Sequence, residues 1–323
     1  MTPEAGRVAV DEAAERTYGQ ARAHLERHHG IRLGKELLEN LTTTLGAYWL
    51  ERDRAALRPN GLLFAAPAAQ IPAQQCLIFA DGVMVHTDGD WHETRVGTVR
   101  ATTADGREHK SSIARTCDLE GFGQDLWRKA HQMGCGQAAV TAFIADGSHW
   151  LWALAQSRFN RAIQILDFWH LSEHVGACAK EFFGEGTDPS RQWALKVCGT
   201  LRAGLASAAL QEVESLPARS QARRAAKHAL VTYLTNNLSR MDYPRYEKLG
   251  LPIGSGEVEA QCKTLVQARC KQAGMRWSSS GVEALLRVRC AVKDGSFEDA
   301  FTGQRGGLLA WQVRRKRAAR AVA

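Results

Sequence analysis

The stretch Cys76–His86, CLIFADGVMVH, decides the fold. Before it, apolar residues recur at helical spacing, at Ala21 and Leu25 and then at Leu37, Leu38, Leu41 and Leu45. At Cys76 the period changes. A short apolar run, Cys76 to Ala80, enters Asp81-Gly82 and continues as Val83-Met84-Val85-His86, which reads as a strand. Thr87-Asp88-Gly89-Asp90 then carries an Asp-Gly hairpin signal. His92–Thr103 and His109–Leu119 read as two further strands. A helix is expected over about Gly121–Met133, and a fourth strand over Ala138–Ile144 ending at Asp146-Gly147. A short helix, about Trp150–Phe159, leads to a fifth strand, Ala162–Leu166, ending at Asp167.

The order β-β-β-α-β-α-β, followed by helices, predicts an α/β protein. Three antiparallel strands extended by parallel ones give the layout of a ribonuclease-H-like core. From His170 to about Tyr243 the chain reads as helical, punctuated at Gly184–Pro189 and broken at Tyr243-Pro244 and Leu251-Pro252. A new helix is expected near Val258–Ala273, after Gly254-Ser255-Gly256. Ser278-Ser279-Ser280 caps another near Val282–Val292. At the N-terminal end, Val10–Arg54 reads as two helical segments divided at His28-His29-Gly30. Such a pair is either a DNA-reading helix-turn-helix or a plain helical hairpin. The expected division is an N-terminal helical region over 1–57, a linker over 58–75, and the first part of the core over 76–187. An all-helical insertion over 188–251 follows, then the second part of the core over 252–295 and a basic tail over 296–323.

Bulk composition narrows the class. Of 323 residues, 45% are apolar, enough for a sizeable core. Forty-two basic against 34 acidic residues give +8, a bias toward a polyanionic partner. The block Arg314-Arg315-Lys316-Arg317, with Arg320, is either a solvated end or a nucleic-acid contact. The eight cysteines form no C-x-x-C pair, which predicts free thiols in a cytoplasmic protein rather than a zinc ribbon. No apolar run approaches the roughly 20 residues of a membrane span, and the N-terminus has no secretory h-region.

Three carboxylates stand out. Asp81 and Asp146 each follow a strand-like run and precede glycine. A carboxylate held at a sheet suits the strict oxygen geometry of Mg²⁺. Two Asp-Gly turns are the plainer reading. Gly254-Ser255-Gly256-Glu257-Val258-Glu259 offers two more acids, about 200° apart on a helix, so one at most can face the sheet. Either is also a solvated first-turn glutamate favoured by the helix dipole. His170-Leu171-Ser172-Glu173-His174 spells H-x-x-E-H, a zinc-protease signature for which Glu247 could supply a third ligand. That chemistry gives no role to Asp81, Asp146 or the Gly-Ser-Gly block.

The blocks ADG (80–82), ADGSHWLW (145–152), ILDFWH (165–170), PIGSGEVEAQCK (252–263) and RCKQAGMRWSSSG (269–281) carry a resemblance. In order and character they resemble the ISKra-type insertion-sequence transposases, of the Mutator-like branch of the DDE transposases. The likeness covers most of residues 76–293. It implies catalytic, metal-binding acids at Asp81, Asp146 and Glu259, and a supporting Asp-x-x-His element at Asp167 and His170. Trp169 stands where that family commonly has tyrosine. It further implies two Mg²⁺ or Mn²⁺ per site, and strand cleavage and strand transfer on double-stranded DNA at transposon ends and target. A homo-oligomer on the nucleoid in the cytoplasm, with no membrane association, is expected. Around the Glu259 helix, Lys263, Arg269, Lys271 and Arg276 are candidates for DNA phosphates, and Trp277 either stacks on a base or packs in the core. The alternatives are a DNA-binding relative without activity, a nuclease on the same sheet, and the zinc protease.

Overall fold

The computed structural model describes residues 2–56 and 67–302. Part of the linker expected over 58–75 and most of the basic tail, including Arg314–Arg317 and Arg320, lie outside the described residues. The protein is mixed α/β and mostly helical, with a five-stranded mixed sheet.

Three helices come first: α1 (Pro3–Glu15), α2 (Tyr18–His29) and α3 (Lys35–Ala56). The sequence reading had two segments here. The extra break is a capping box at Thr17: its hydroxyl accepts from Gln20 N, and the Gln20 side chain accepts from Thr17 N, each at 3.2 Å. The sheet strands and their connecting helices are β1 (Ala73–Thr87), β2 (Asp90–Thr103), β3 (Glu108–Arg115), α4 (Leu119–Gln132), β4 (Val140–Ala145), α5 (His149–Arg158) and β5 (Ile163–Leu166). Next are α6 (Phe168–Phe183), α7 (Asp188–Arg202), α8 (Ala206–Ser215), α9 (Gln221–Asn237), α10 (Tyr243–Lys248) and α11 (Gly256–Gln261). A π-helical segment, Cys262–Gln267, joins α11 to α12 (Ala268–Cys270). Then come α13 (Ser279–Lys293) and α14 (Phe297–Thr302).

The sheet runs β3-β2-β1-β4-β5. β2 and β3 pair antiparallel, from Arg95↔Arg115 to Thr102↔Glu108. β4 pairs parallel with β1, from Gln75↔Val140 to Phe79↔Ile144, and with β5, from Ala142↔Ile163 to Ala145↔Leu166. The parallel strands are apolar and buried throughout Ala142–Ala145 and at Ile165 and Leu166, as covered parallel strands require. Asp88 and Gly89 both have positive φ, 52° and 92°, the geometry of a tight two-residue hairpin. Asp81-Gly82 is different. It lies inside β1, which continues without a break, so the turn reading fails there.

The chain forms two compact units. The first comprises Met1–Gln74, Asp81–Gln137 and Val258–Ala323; the second, Gln75–Ala80 and Ala138–Glu257. In the first unit, α3 and α13 approach so closely that a Cβ on Gly46 would stand 2.0 Å from the Ala284 carbonyl oxygen. A buried ionic network ties the same region together. Arg115 pairs with Asp125 at 3.0 Å and Glu283 at 3.2 Å, and Arg287 pairs with Asp53 at 2.6 Å. Burial pushes the Asp53 carboxyl up, but Arg287 and Arg128 outweigh it and hold the group below its ordinary value. In the second unit, α6 packs on α7 and α9, and the buried Trp152 indole donates to Asn237 Oδ1 at 2.8 Å. Cys76 and Cys135 are disulfide-bonded, which corrects the expectation of eight free thiols. Spacing could not reveal it, because the two lie on β1 and after α4.

Gly46→Ala should destabilise the fold by about 2 kcal/mol or more, since backbone atoms cannot yield to an added methyl. Urea unfolding should show a lower midpoint at an unchanged slope. An unchanged midpoint would mean that α3 and α13 do not meet at Gly46.

Candidate functional site

Asp167, at the end of β5, is fully buried. Its own N–H donates to the Ala145 carbonyl at 2.8 Å, so it continues the pairing with β4. One carboxylate oxygen caps α6, accepting from Trp169 N at 2.6 Å and His170 N at 3.0 Å. The other accepts from Ser255 N at 2.6 Å and from the Ser255 hydroxyl. Phe168 N donates to the Ile253 carbonyl at 2.8 Å. A Cβ on Gly254 would stand 2.7 Å from Trp169 Cδ1, so glycine is what lets the loop lie against α6. The Gly-Ser-Gly loop is thereby fixed to the β5–α6 junction. The helix bearing Glu259 starts immediately after it.

Asp146 follows β4 in the same unit. Its carboxylate accepts from Ser148 N at 2.8 Å and Ser148 Oγ at 3.0 Å, which orients it at the start of α5. Its backbone carbonyl accepts from the Tyr233 hydroxyl at 2.6 Å. Burial, reinforced by the Asp146, Asp167 and Glu173 carboxylates, holds the Tyr233 phenol far above its ordinary value, so it stays a donor. Tyr233 stacks on His174 with ring centroids 4.0 Å apart, and His174 meets His170 edge-on at 5.0 Å. His174 is half-buried against Tyr233. Burial and then the neighbouring His170 lower its pKa, against the opposing pull of Glu173 and Asp146. His170 Nδ1 lies 3.3 Å from Glu173, while the backbone N–H of His170, not its ring, bonds Asp167. Glu247, the third ligand a protease would need, pairs with Arg202 at 2.9 Å.

In the first unit, Asp81 and Glu259 bear on one thiol. Cys262 Sγ donates to Asp81 Oδ2 at 3.6 Å. Burial, then the Asp81 carboxylate, then that of Glu259 push the Cys262 pKa far up, so the thiol keeps its proton. Cys262 opens the π-helical segment. Such segments widen a helix locally and recur at functional positions. Buried Arg289 braces it, and buried Arg269 follows it in α12. Arg289 donates to the Leu265 carbonyl at 2.7 Å, to that of Thr264 at 2.6 Å, and to that of Ala14. Arg269 donates twice to the Ala13 carbonyl at 3.2 Å and lies over the Tyr18 ring at 4.7 Å. Both satisfy carbonyls of the last turn of α1.

Arg269 is therefore corrected from a DNA contact to a core residue, 1% exposed. Trp277 is likewise a packing residue. Its indole donates to the Cys270 carbonyl at 3.1 Å, meets Tyr18 edge-on, and its backbone bridges to Thr87. Lys263, Lys271 and Arg276 are exposed. Cys262 is visible in the sequence one helical turn from Glu259, and Ser255 as the centre of the Gly-Ser-Gly block, whereas Tyr233 has no distinguishing signal. No protein-family model matches the chain, and no curated protein matches it.

Two outcomes follow from this geometry. Asp167→Ala strands buried donors at Ser255 and α6, and should lower stability by roughly 3 kcal/mol in urea unfolding. An effect below about 1 kcal/mol would mean the loop is not held there. His174 has a folded pKa below its unfolded value of about 6.5, so its contribution to stability is present above that pH and is lost as pH falls through the folded value. His174→Phe should remove that part of the acid destabilisation, read as a flatter profile of melting temperature against pH below about 6.5. An unchanged profile would show that burial does not depress His174.

Proposed function

We propose that this chain is a DDE-type transposase, with a ribonuclease-H-like core and Asp81, Asp146 and Glu259 as its acids. The observation that carries the reading is the hydrogen bond from the Cys262 thiol to Asp81, which ties strand β1 to the helical run that bears Glu259 one turn before Cys262. Two further features support it. Phe79 pairs with Ile144; Asp81 stands two residues beyond Phe79 within β1, and Asp146 two residues beyond Ile144, just past the end of β4. Ser255, four residues before Glu259, is bound to the Asp167 carboxylate beside the end of β4.

The oxygens of three carboxylates are hard donors that fit a hard divalent cation. Asp81, Asp146 and Glu259 would hold Mg²⁺ or Mn²⁺, which would supply charge neutralisation and Lewis acidity for in-line phosphoryl displacement. The chain's own part is positional. Strand β1 fixes Asp81, the Ser148 cap orients Asp146, and the Asp167–Ser255 bonds set where the Glu259 helix begins. The exposed Lys263, Lys271 and Arg276 would meet DNA phosphates, a sequence-independent and salt-sensitive hold. Double-stranded DNA at the element's ends and at the target is the proposed substrate, acted on by an oligomer that holds two ends.

Strand-transfer assays on DNA carrying paired terminal repeats test this. Asp81→Asn, Asp146→Asn and Glu259→Gln should each reduce joining by at least about 100-fold while leaving DNA binding in place. Full joining by any one variant removes that residue's role. Hydrolysis without joining in the unaltered protein would make it a nuclease. Binding with neither reaction would make it a DNA-binding relative.

A further inference from the structure

The N-terminal helices hold a second cluster of metal-competent side chains, unconnected with the acids above. Glu12 lies on α1; His24 and His29 lie on α2. One ligand atom from each falls within 4.8 Å of the others, the one such group of three among the described residues. His24 Nδ1 is 3.2 Å from Glu12 Oε2, and His29 Nε2 is 3.9 Å from Glu12 Oε1. Ligand atoms on one tetrahedral ion stand roughly 3.4 Å apart, given bond lengths of about 2.1 Å, so small side-chain rotations close the set. A second observation points to a ligand: His24 Nδ1 is buried and makes no hydrogen bond, although a carboxylate oxygen faces it. An imidazole nitrogen aimed at a carboxylate without hydrogen-bond geometry is what two ligands of one ion look like. The turn at Gly30, with φ +65°, ends α2 just past His29. The Glu12 carboxylate also pairs with Arg16 at 2.5 Å, and an incoming cation would take that place.

We propose that Glu12, His24 and His29 bind one divalent transition ion of the zinc class, with water completing the coordination. Two imidazoles and one carboxylate select zinc over magnesium, which wants oxygen ligands. The ion clamps α1 to α2. It therefore stabilises the helical region whose α1 carbonyls are bonded by Arg269 and Arg289. This site does not depend on the transposase reading.

The test is titration of the metal-stripped full chain, under reducing conditions and in excess Mg²⁺, with Zn²⁺ against a chromophoric chelator. One Zn²⁺ per chain should bind, and Zn²⁺ should raise the melting temperature. Glu12→Gln, His24→Ala and His29→Ala should each weaken binding by about 100-fold or more, since loss of a ligand should exceed the 10–100-fold cost of losing its outer-shell partner. His228→Ala, on the exposed side of α9, should bind as the unaltered chain does. Circular dichroism of the metal-free variants separates lost binding from lost folding; Glu12→Gln is the variant least able to disturb the helices. Absence of stoichiometric Zn²⁺, or unchanged affinity in folded Glu12→Gln and His24→Ala, overturns the proposal.

Discussion

The buried Asp167 carboxylate is the constraint on which the candidate site depends. It is a single charged group that ends a strand, starts a helix and binds a loop drawn from far along the chain. Burying such a charge is expensive unless its oxygens are fully used, and here backbone donors and a serine hydroxyl use both. The consequence is positional. The loop that precedes the Glu259 helix cannot drift, because its serine is bonded to the same carboxylate that caps α6. The long helical run from α6 to α10 can then intervene in sequence without loosening the start of α11.

A second set of constraints acts within the first unit. Arg269 and Arg289 are buried cations whose partners are carbonyls rather than acids. They offset their desolvation by bonding the frayed end of α1 and the π-helical segment. Burial lowers the pKa of both guanidinium groups, yet arginine keeps its charge so far from its ordinary value that it remains a donor. The segment that Arg289 braces presents Cys262 to Asp81, and the neutral thiol donates to that carboxylate without adding a negative charge.

Much of the sheet was legible in the sequence. Short apolar runs and the Asp88-Gly89 turn gave the succession of strands along the chain, because strand patterning and hairpin chemistry are local properties. Asp81-Gly82 was ambiguous for the same reason: the dipeptide that turns at one position runs straight through a strand at another, and pairing decides which. The break at Thr17 was hidden because it is made by a capping box with Gln20, which the spacing of apolar residues does not show. Arg269 looked like a surface cation because the atoms that bury it, Ala13 O and the Tyr18 ring, come from the opposite end of the chain. Tyr233 carried no signal at all, and Ser255 stood out only as part of the Gly-Ser-Gly block, since the importance of both is a matter of what they reach. The π-helical widening after Glu259 has no sequence signature that the reading could have used.

The central claim is that Asp81, Asp146 and Glu259 serve one metal centre. Replacing Mg²⁺ with Fe²⁺ in the full chain, adding ascorbate and peroxide, and mapping the backbone cuts by mass spectrometry tests it most directly. The account predicts cuts flanking all three acids, suppressed together by excess Mg²⁺. Cuts beside only one of them, or cuts that Mg²⁺ fails to suppress, would contradict it.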